Sequence, residues 1–366
     1  MKYSAVALAA VFLTACSTQP EVKRDPAGNE IPEPFIEVGG QASATDIARF
    51  LGGRPVRQGA ILSRMQQSGE YAAYSRDTLS KWRSRTERRM IAQNNWQATY
   101  IRPLAGTSHT LLYPFGGPDL LYAMSVFPNS SRYILLGLEP VGSVPALEFS
   151  DPGSVFTALP RHAKSIETQL LYGYFITKDM RAELANGPLQ GVTPVMLTAL
   201  GLMSAEIHNV RSINAGGNPG VEIDFTLPQW GRKSAVYIAG DLSNSGFRGG
   251  YSSWLSSQAS GSTVYFKAAS YLMHDSGFSS MKNWVLSNAR SVVQDDSGIP
   301  YSSFDQNTWQ ISLFGRYEAP IALFAKHHQP SLRAAYDAAG PVPSMTYGSG
   351  YHMKYADANL LVATRK

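Results

Sequence analysis

Residues 108–138 constrain the architecture more tightly than any other part of the chain. They read SHTLLYPF, GGPDLLYAMSVFPN and SRYILLGL: two apolar runs separated by a Gly-Pro turn and a short run of helix formers. This is the pattern of a β-α-β unit, whose two strands run parallel and are joined by a right-handed crossover. A parallel sheet is stable only with both faces covered. The rest of the chain must therefore supply helices for two sides.

It carries the patterns to do so. Thr45 to Leu51 reads as a short helix stopped by Gly52-Gly53, and Ser75 to Trp96 as a longer one. In the longer one Leu79, Trp82, Met90 and Trp96 share one sector of about 120° on the helical wheel, which predicts an apolar stripe facing a core. Lys81, Arg85 and Arg88 cluster on another side, facing water within reach of lipid phosphates or glycan carboxylates. A further helix is expected around Pro160 to Tyr174. The run TPVMLTAL from Thr193 to Leu200 is apolar all round and hence buried, with Thr193 as cap and Pro194 at the first helical position. Ile207 to Ile213 predicts a strand, and GVEIDFTL and SAVYIAG around PQWGRK predict an antiparallel hairpin.

The last third alternates STVYFKAAS (strand), FSSMKNWVLSNA (helix), RSVVQ and TWQISLFGRY (strands), SLRAAYDAA (helix) and ANLLVATRK (strand). No Pro/Gly-rich gap separates two cores, and no repeat of fixed period occurs. The expectation is an α/β protein: one large domain over residues 45–366, on a mixed, partly parallel sheet with helices on both faces.

The chain opens MKYSAVALAAVFLTACSTQ, with a positive charge at Lys2, a short apolar run from Ala5 to Leu13, and then Leu13-Thr14-Ala15-Cys16. This order is the layout of a secretory signal, and the run is too short to span a bilayer. Leu-Thr-Ala-Cys resembles the lipobox of bacterial lipoproteins. The resemblance implies that residues 1–15 are a signal peptide and that Cys16 is acylated and becomes the first residue of the mature chain. Two or more acyl chains are enough for stable membrane attachment. Lipoproteins that enteric bacteria keep in the inner membrane carry Asp after the lipidated cysteine; Ser17 at that place implies the outer membrane of a Gram-negative cell. Cys16 is also the only cysteine of the 366 residues, so the body must be held by its core without an intramolecular disulfide. Residues 16–44, rich in Pro, Glu and Gly and without sustained apolar periodicity, read as a flexible tether.

Four acidic residues are candidates for chemistry. Asp119 follows Gly-Gly-Pro where the first strand gives way to a helix. If Pro118 is the first helical residue, Asp119 lies in the first turn, where its charge against the helix dipole contributes about 0.3–1 kcal/mol. The same loop stands at the carboxyl edge of a parallel sheet, where α/β proteins bind ligands. Glu139, closing the second strand, belongs to that edge as well. Asp295 and Asp296, in QDDSGIPY directly after a strand, form an Asp-rich turn that can bring one carboxylate inward. Convergence of Asp119, Glu139 and Asp295 or Asp296 would give an acid and base pair or a seat for a cation. Lys267, leaving its strand, reads as a lysine whose stem is buried and whose head snorkels to water.

Several chemistries are excluded or disfavoured. Gly-x-Gly-x-x-Gly is absent after the first strand, and a carboxylate at the helix N-terminus would repel a pyrophosphate. VYIAGDLSNSG resembles the Gly-Asp-Ser block of lipases and esterases, but Leu242 interrupts it and neither Asp-x-x-His nor Gly-x-Ser-x-Gly occurs. The seven histidines are scattered without His-x-x-x-His spacing, and His327-His328 diverge on any regular element, so no metal and no cofactor is expected. A net charge of +5, or +4 without Lys2, on no recognisable module gives no reason to expect nucleic acid. Trp230, Tyr251, Trp254, Tyr347 and Tyr351 near expected loops are candidates for stacking on sugars.

YPFGGPDLLYA and QDDSGIPY also resemble stretches of bacterial proteins without an assigned activity, which implies no mechanism. The expected function is therefore a binding or assembly role in the cell envelope, with a glycan or protein partner. The alternative is an envelope hydrolase using Asp119, Glu139 and Asp295 or Asp296 on a glycan or peptide.

Overall fold

The computed structural model describes residues 42–105, 109–142, 152–172, 184 and 187–366. The expected signal peptide, Cys16 and nearly all of the expected tether lie outside the described residues. The body extends slightly before its expected start: Ala42 is buried, and Ser43 forms a reciprocal capping box with Asp46 at the start of the first helix.

The strands are β1 (Thr110–Tyr113), β2 (Arg132–Gly137), β3 (Glu206–Ala215), β4 (Asn218–Leu227), β5 (Gly231–Ala239), β6 (Thr263–Phe266), β7 (Ser291–Gln294), β8 (Trp309–Gly315) and β9 (Asn359–Arg365). They form one sheet in the order β3-β4-β5-β2-β1-β6-β7-β9-β8. The five central strands, β5 to β7, are parallel; β3 and β4 extend one flank and β9 and β8 the other through antiparallel pairs. The expected mixed α/β sheet is therefore present, and β1 and β2 are the parallel strands of the β-α-β unit. Counted among themselves, the parallel strands run 3-2-1-4-5, so the winding reverses between β1 and β6.

The helices are α1 (Ala44–Leu51), α2 (Ala60–Gln66), α3 (Gly69–Lys81), α4 (Arg88–Tyr100), α5 (Arg102–Ala105), α6 (Leu120–Val126), α7 (Pro152–Tyr172), α8 (Val192–Leu202), α9 (Gly250–Ala259), α10 (Ser279–Asn288) and α11 (Pro330–Ala339). Successive strand residues point to opposite faces, and the two cores follow that alternation. Leu111, Tyr113, Tyr133, Leu135, Tyr265 and Val293 pack against α1, α4, α6 and α8. Leu112, Ile134, Leu136, Val264, Phe266 and Val292 pack against α9, α10 and α11. A further cluster of Trp82, Met90, Leu121, Ile166, Leu170, Val195 and Ala199 joins α7 to the outer sides of α6 and α8. Helix α8 thus has protein on all sides, as its all-round apolar sequence predicts.

Two local expectations differ from the structure. The long helix runs from Gly69 to Tyr100 but is interrupted by a π-helical segment, Trp82–Glu87. Its wider winding changes the angular phase, so the single expected stripe is split: Trp82 and Met90 join the outer cluster and Trp96 the sheet-facing core. Of the basic group, Arg88 is exposed and Lys81 pairs with Asp77 (2.8 Å) and Glu167 (3.1 Å), while the Arg85 side chain lies outside the described ones. Helix α8 begins at Val192 behind Gly191, and Thr193 does not cap it; its hydroxyl donates to the Val141 carbonyl at 2.8 Å, tying the helix to the chain leaving β2. Gly201 lets α1 cross α8 in backbone contact, since a Cβ there would lie 1.9 Å from the Ala48 carbonyl oxygen.

Candidate functional site: a buried ion pair where the sheet reverses

Asp119 occupies the N-cap position of α6, yet its side chain caps nothing. The helix starts at Leu120, not at Pro118, and the carboxylate turns away from the helix N-terminus into the sheet edge. There Oδ2 accepts from the Tyr113 hydroxyl (2.9 Å) and from Lys267 Nζ, and Oδ1 accepts from Gln169 Nε2 (3.1 Å). Asp119 is therefore more than a dipole partner. It ties together the end of β1, helix α7 and the end of β6.

Lys267, the residue after β6, is a correction to the snorkelling expectation: its side chain is 4% exposed and paired with Asp119. A four-residue strand flush with its neighbours delivers the side chain under α6 rather than outward, and the aliphatic stem cannot reach water. The ammonium also lies 4.4 Å from the centroid of the Tyr122 ring. Burial pushes Asp119 up and Lys267 down, each toward its neutral form, and their mutual attraction opposes both shifts.

The adjacent Asp295 and Asp296, where β7 gives way to a turn, point to different partners. Asp295 Oδ2 accepts from the Ala268 N–H (2.9 Å), and Oδ1 from the N–H (2.9 Å) and hydroxyl (2.5 Å) of Ser297. Burial, followed by the neighbouring Asp296, pushes the Asp295 carboxyl up to about 6. Asp296 faces the other way, accepting from the Tyr271 hydroxyl (2.5 Å) and Asn359 Nδ2 (3.1 Å), with His352 Nε2 at 3.4 Å. Burial alone would lower the His352 ring, but the Asp296 carboxylate outweighs it and holds it above its ordinary value.

Glu139 is buried at the end of β2 with a set of partners of its own. Its Oε2 accepts from the Leu138 N–H (3.1 Å) and lies 3.3 Å from the Tyr237 hydroxyl, which donates to the Glu139 carbonyl at 2.8 Å. Of the four acidic candidates, Asp119 and Asp295 approach the same stretch, Lys267-Ala268; Asp296 and Glu139 each serve a separate network.

A strap between Ser344 and Met353 crosses this edge. The Trp96 indole donates to the Ser344 carbonyl (2.8 Å). The Tyr351 hydroxyl donates to the Ala268 carbonyl (3.0 Å) and bonds the Ser270 hydroxyl (2.8 Å). Gly350, at φ +57°, lies so close to Asp295 that a Cβ would come within 1.6 Å of Oδ2. Strain concentrates here too: among the described residues, four of the five non-glycine residues with positive φ are Phe115, Ala268, Ser270 and Tyr271, in the loops after β1 and β6. Such residues persist only where the surroundings over-determine them, and they gather at ligand clamps and active sites. A cleft of about 10 Å³, lined by Arg89, Gln93, Tyr122, Lys267, Gly348, Gly350 and Met353, opens between the strap and the ion pair.

Three histidines pack among the aromatic residues near this edge. His327 stacks on Tyr271 (4.8 Å), His274 meets His327 edge-on (5.4 Å), and His328 diverges to stack on Tyr317 (6.3 Å). Among the described residues no group of three His, Cys, Asp or Glu side chains is placed to hold a metal ion. Two candidates for sugar stacking, Tyr251 and Tyr347, are core residues instead, while Trp230, Trp254 and Tyr351 are partly exposed.

Compared with known proteins, the chain matches no family model and no curated sequence. Sequence reasoning missed Tyr113, Gln169, Arg89 and the strap; only Tyr113, inside the same YPFGGPDLLYA stretch as Asp119, carried a local signal.

Proposed function

We propose that the chain is a lipid-anchored protein of the cell envelope whose body works by binding, with the ligand or partner engaged at the carboxyl edge where β1 and β6 diverge. The anchor and the outer-membrane location rest on Leu13 to Ser17. Binding is favoured over catalysis by one observation: both Asp119 oxygens are already taken by Tyr113, Gln169 and Lys267. A general acid or base needs an oxygen turned toward substrate, and this carboxylate instead braces a cation and two loops. Strained backbone around the cleft supports a preorganised recognition site. An envelope glycan or protein is the partner class that the location supplies.

The hydrolase reading stands second, favoured by Asp295, whose carboxyl at about 6 falls in the range of catalytic acids and lies beside Lys267-Ala268. Two experiments test the proposal. Mass spectrometry of the protein from native membranes is expected to find Cys16 at the N-terminus and acylated; a free thiol or an uncut leader overturns the anchor. Detergent-extracted protein incubated with cell-wall glycan and with peptides is expected to leave them intact and to retain co-purifying material. Turnover that disappears in Asp295→Asn would replace binding by hydrolysis.

A further inference from the structure

A groove of about 520 Å³ opens where the outermost strand, β8, ends, and it shares no lining residue with the cleft beside the ion pair. Arg333 and Asp337 of α11 line it together with Arg316 and Glu318, which follow β8, and Tyr355, which opens a short 3₁₀ turn. Its parts are tied to the end of β8 through backbone. The Gly315 N–H donates to the Pro343 carbonyl (2.8 Å) and the Arg316 N–H to the Ala358 carbonyl (2.9 Å). The four charged side chains form a chain of alternating sign: Arg316 pairs with Glu318, Glu318 with Arg333 (3.7 Å), and Arg333 with Asp337 (3.1 Å). Their charges cancel, and each is oriented by its neighbour. Among the described residues, Arg316 Nε and Nη1, Arg333 Nη2, Glu318 Oε2 and Asp337 Oδ1 have no hydrogen-bond partner. Donors and acceptors therefore remain available side by side. Of the three tyrosines lining the groove, Tyr317 and Tyr336 are buried, with hydroxyls bonded to the Gln329 N–H (3.0 Å) and the Phe314 carbonyl (2.8 Å). Tyr355 is 64% exposed, a large ring left uncovered.

We propose that this groove is a second binding site, for a neutral oligosaccharide, with one sugar ring stacked on Tyr355 and its hydroxyls bonded by Arg316, Glu318, Arg333 and Asp337. The inference goes beyond the crevice between β1 and β6 and does not depend on it. A sugar hydroxyl donates one hydrogen bond and accepts others, so it needs both kinds of partner close together, as the ion-pair chain presents them. A charged ligand gains little from a set whose own charges cancel, and it would have to compete with the pairs already formed. The weakly polar C–H face of a pyranose fits the negative face of an aromatic ring. The volume lies within the range of about 300–1,000 Å³ typical of small-ligand sites, which suits a short oligosaccharide.

The full-length protein, in a detergent without a sugar headgroup, is titrated calorimetrically with three neutral trisaccharides: chitotriose, cellotriose and maltotriose. The cationic trimer of glucosamine and the anionic trimer of galacturonic acid serve as charged counterparts. At least one neutral trisaccharide is expected to bind more tightly than either charged one, with an affinity that added salt leaves nearly unchanged. Tyr355→Ala, at an exposed position, should weaken it roughly tenfold, the scale of a lost stacking contact. Tyr355→Phe keeps the ring and should bind as the wild type does, and Asp337→Ala should weaken binding several-fold. Absence of binding by all three neutral sugars, tighter binding of a charged trimer, indifference to Tyr355→Ala, or an equal loss in Tyr355→Phe would overturn the assignment. Failure of the crevice reading shows separately, as native protein with which no material co-purifies.

Discussion

Lys267 and Asp119, 148 positions apart in the chain, form one buried ion pair across the point where the sheet reverses its winding. Strand β1 ends beside β6, and the residues that follow the two strands must share whatever space lies between the helices of the two crossovers. In a ligand-binding α/β protein that space is the crevice. Here its floor is a lysine neutralised from one side, with Arg89 and Tyr122 on the other.

Removing one member of the pair should cost far more than removing both. Lys267→Met leaves Asp119 as a buried charge without its cation and is expected to lower stability by about 3–5 kcal/mol. Asp119→Asn alone should also destabilise. The double variant Asp119→Asn/Lys267→Met is expected to recover much of the loss, and urea unfolding of the four proteins gives the coupling directly. Strict additivity would mean that the pair is not coupled in solution.

Stability should fall as pH rises through the range in which Asp295 ionises. Its carboxyl sits at about 6 in the folded chain against 3.8 as the ordinary value. Between those values the unfolded chain has released the proton and the folded chain still holds it, so stability contributed below about 4 is lost by about pH 6. The full effect is on the order of 2–3 kcal/mol. His352, also raised, acts with the same sign in its own range. Carboxylates held low, such as Glu222 beside Arg132 and Arg211, act oppositely, so the informative measurement is a difference. Thermal unfolding of wild type against Asp295→Asn from pH 4 to pH 7 should show the variant with the flatter or upward-tilted profile.

Gly350→Ala should be among the most damaging alanine substitutions in the strap. It combines a φ of +57° with a Cβ that would lie 1.6 Å from the Asp295 carboxylate, so either the strap or the carboxylate must move. A loss above about 2 kcal/mol is expected. Gly69→Ala, at the first residue of α3 with nothing within 4 Å of its Cβ, is the matched control and should be neutral or stabilising. Chemical denaturation of both decides the matter; similar values would mean the strap does not rest on Asp295.

Tyr351→Phe removes the hydroxyl that holds Ala268 and Ser270 under the strap. The expected cost is about 1 kcal/mol, and the telling change is local. Amide hydrogen exchange over residues 267–271 and 346–353 should accelerate while the strands of the sheet stay protected. Uniform acceleration across the sheet would assign Tyr351 to global stability instead.

Much of this protein is legible in local patterns of its sequence. The β-α-β unit, the antiparallel hairpin, the buried helix α8 and the mixed sheet all follow from apolar periodicity and turn residues, which are properties of neighbouring positions. So does the placement of Asp119, Glu139 and the Asp295-Asp296 pair at the ends of parallel strands. Which of these carboxylates meet is not written locally. Asp119 reads as a helix-start residue because a negative charge at that place is self-sufficient; nothing nearby signals that a lysine from β6 will claim it. Lys267 reads as a snorkelling surface cation because its neighbours in Lys-Ala-Ala-Ser carry no mark of depth.

The chain by itself determined its class and the edge of the sheet that carries its four candidate carboxylates, since each depends on residues a few positions apart. Only tertiary structure decided that Asp119 takes Lys267 and Asp295 the adjoining Ala268 while Asp296 and Glu139 bind elsewhere, and that a strap containing Gly350 crosses beside them. Those outcomes depend on strand order: β6 returns to the side of β1 opposite β2, and no local pattern encodes which strand will stand beside which.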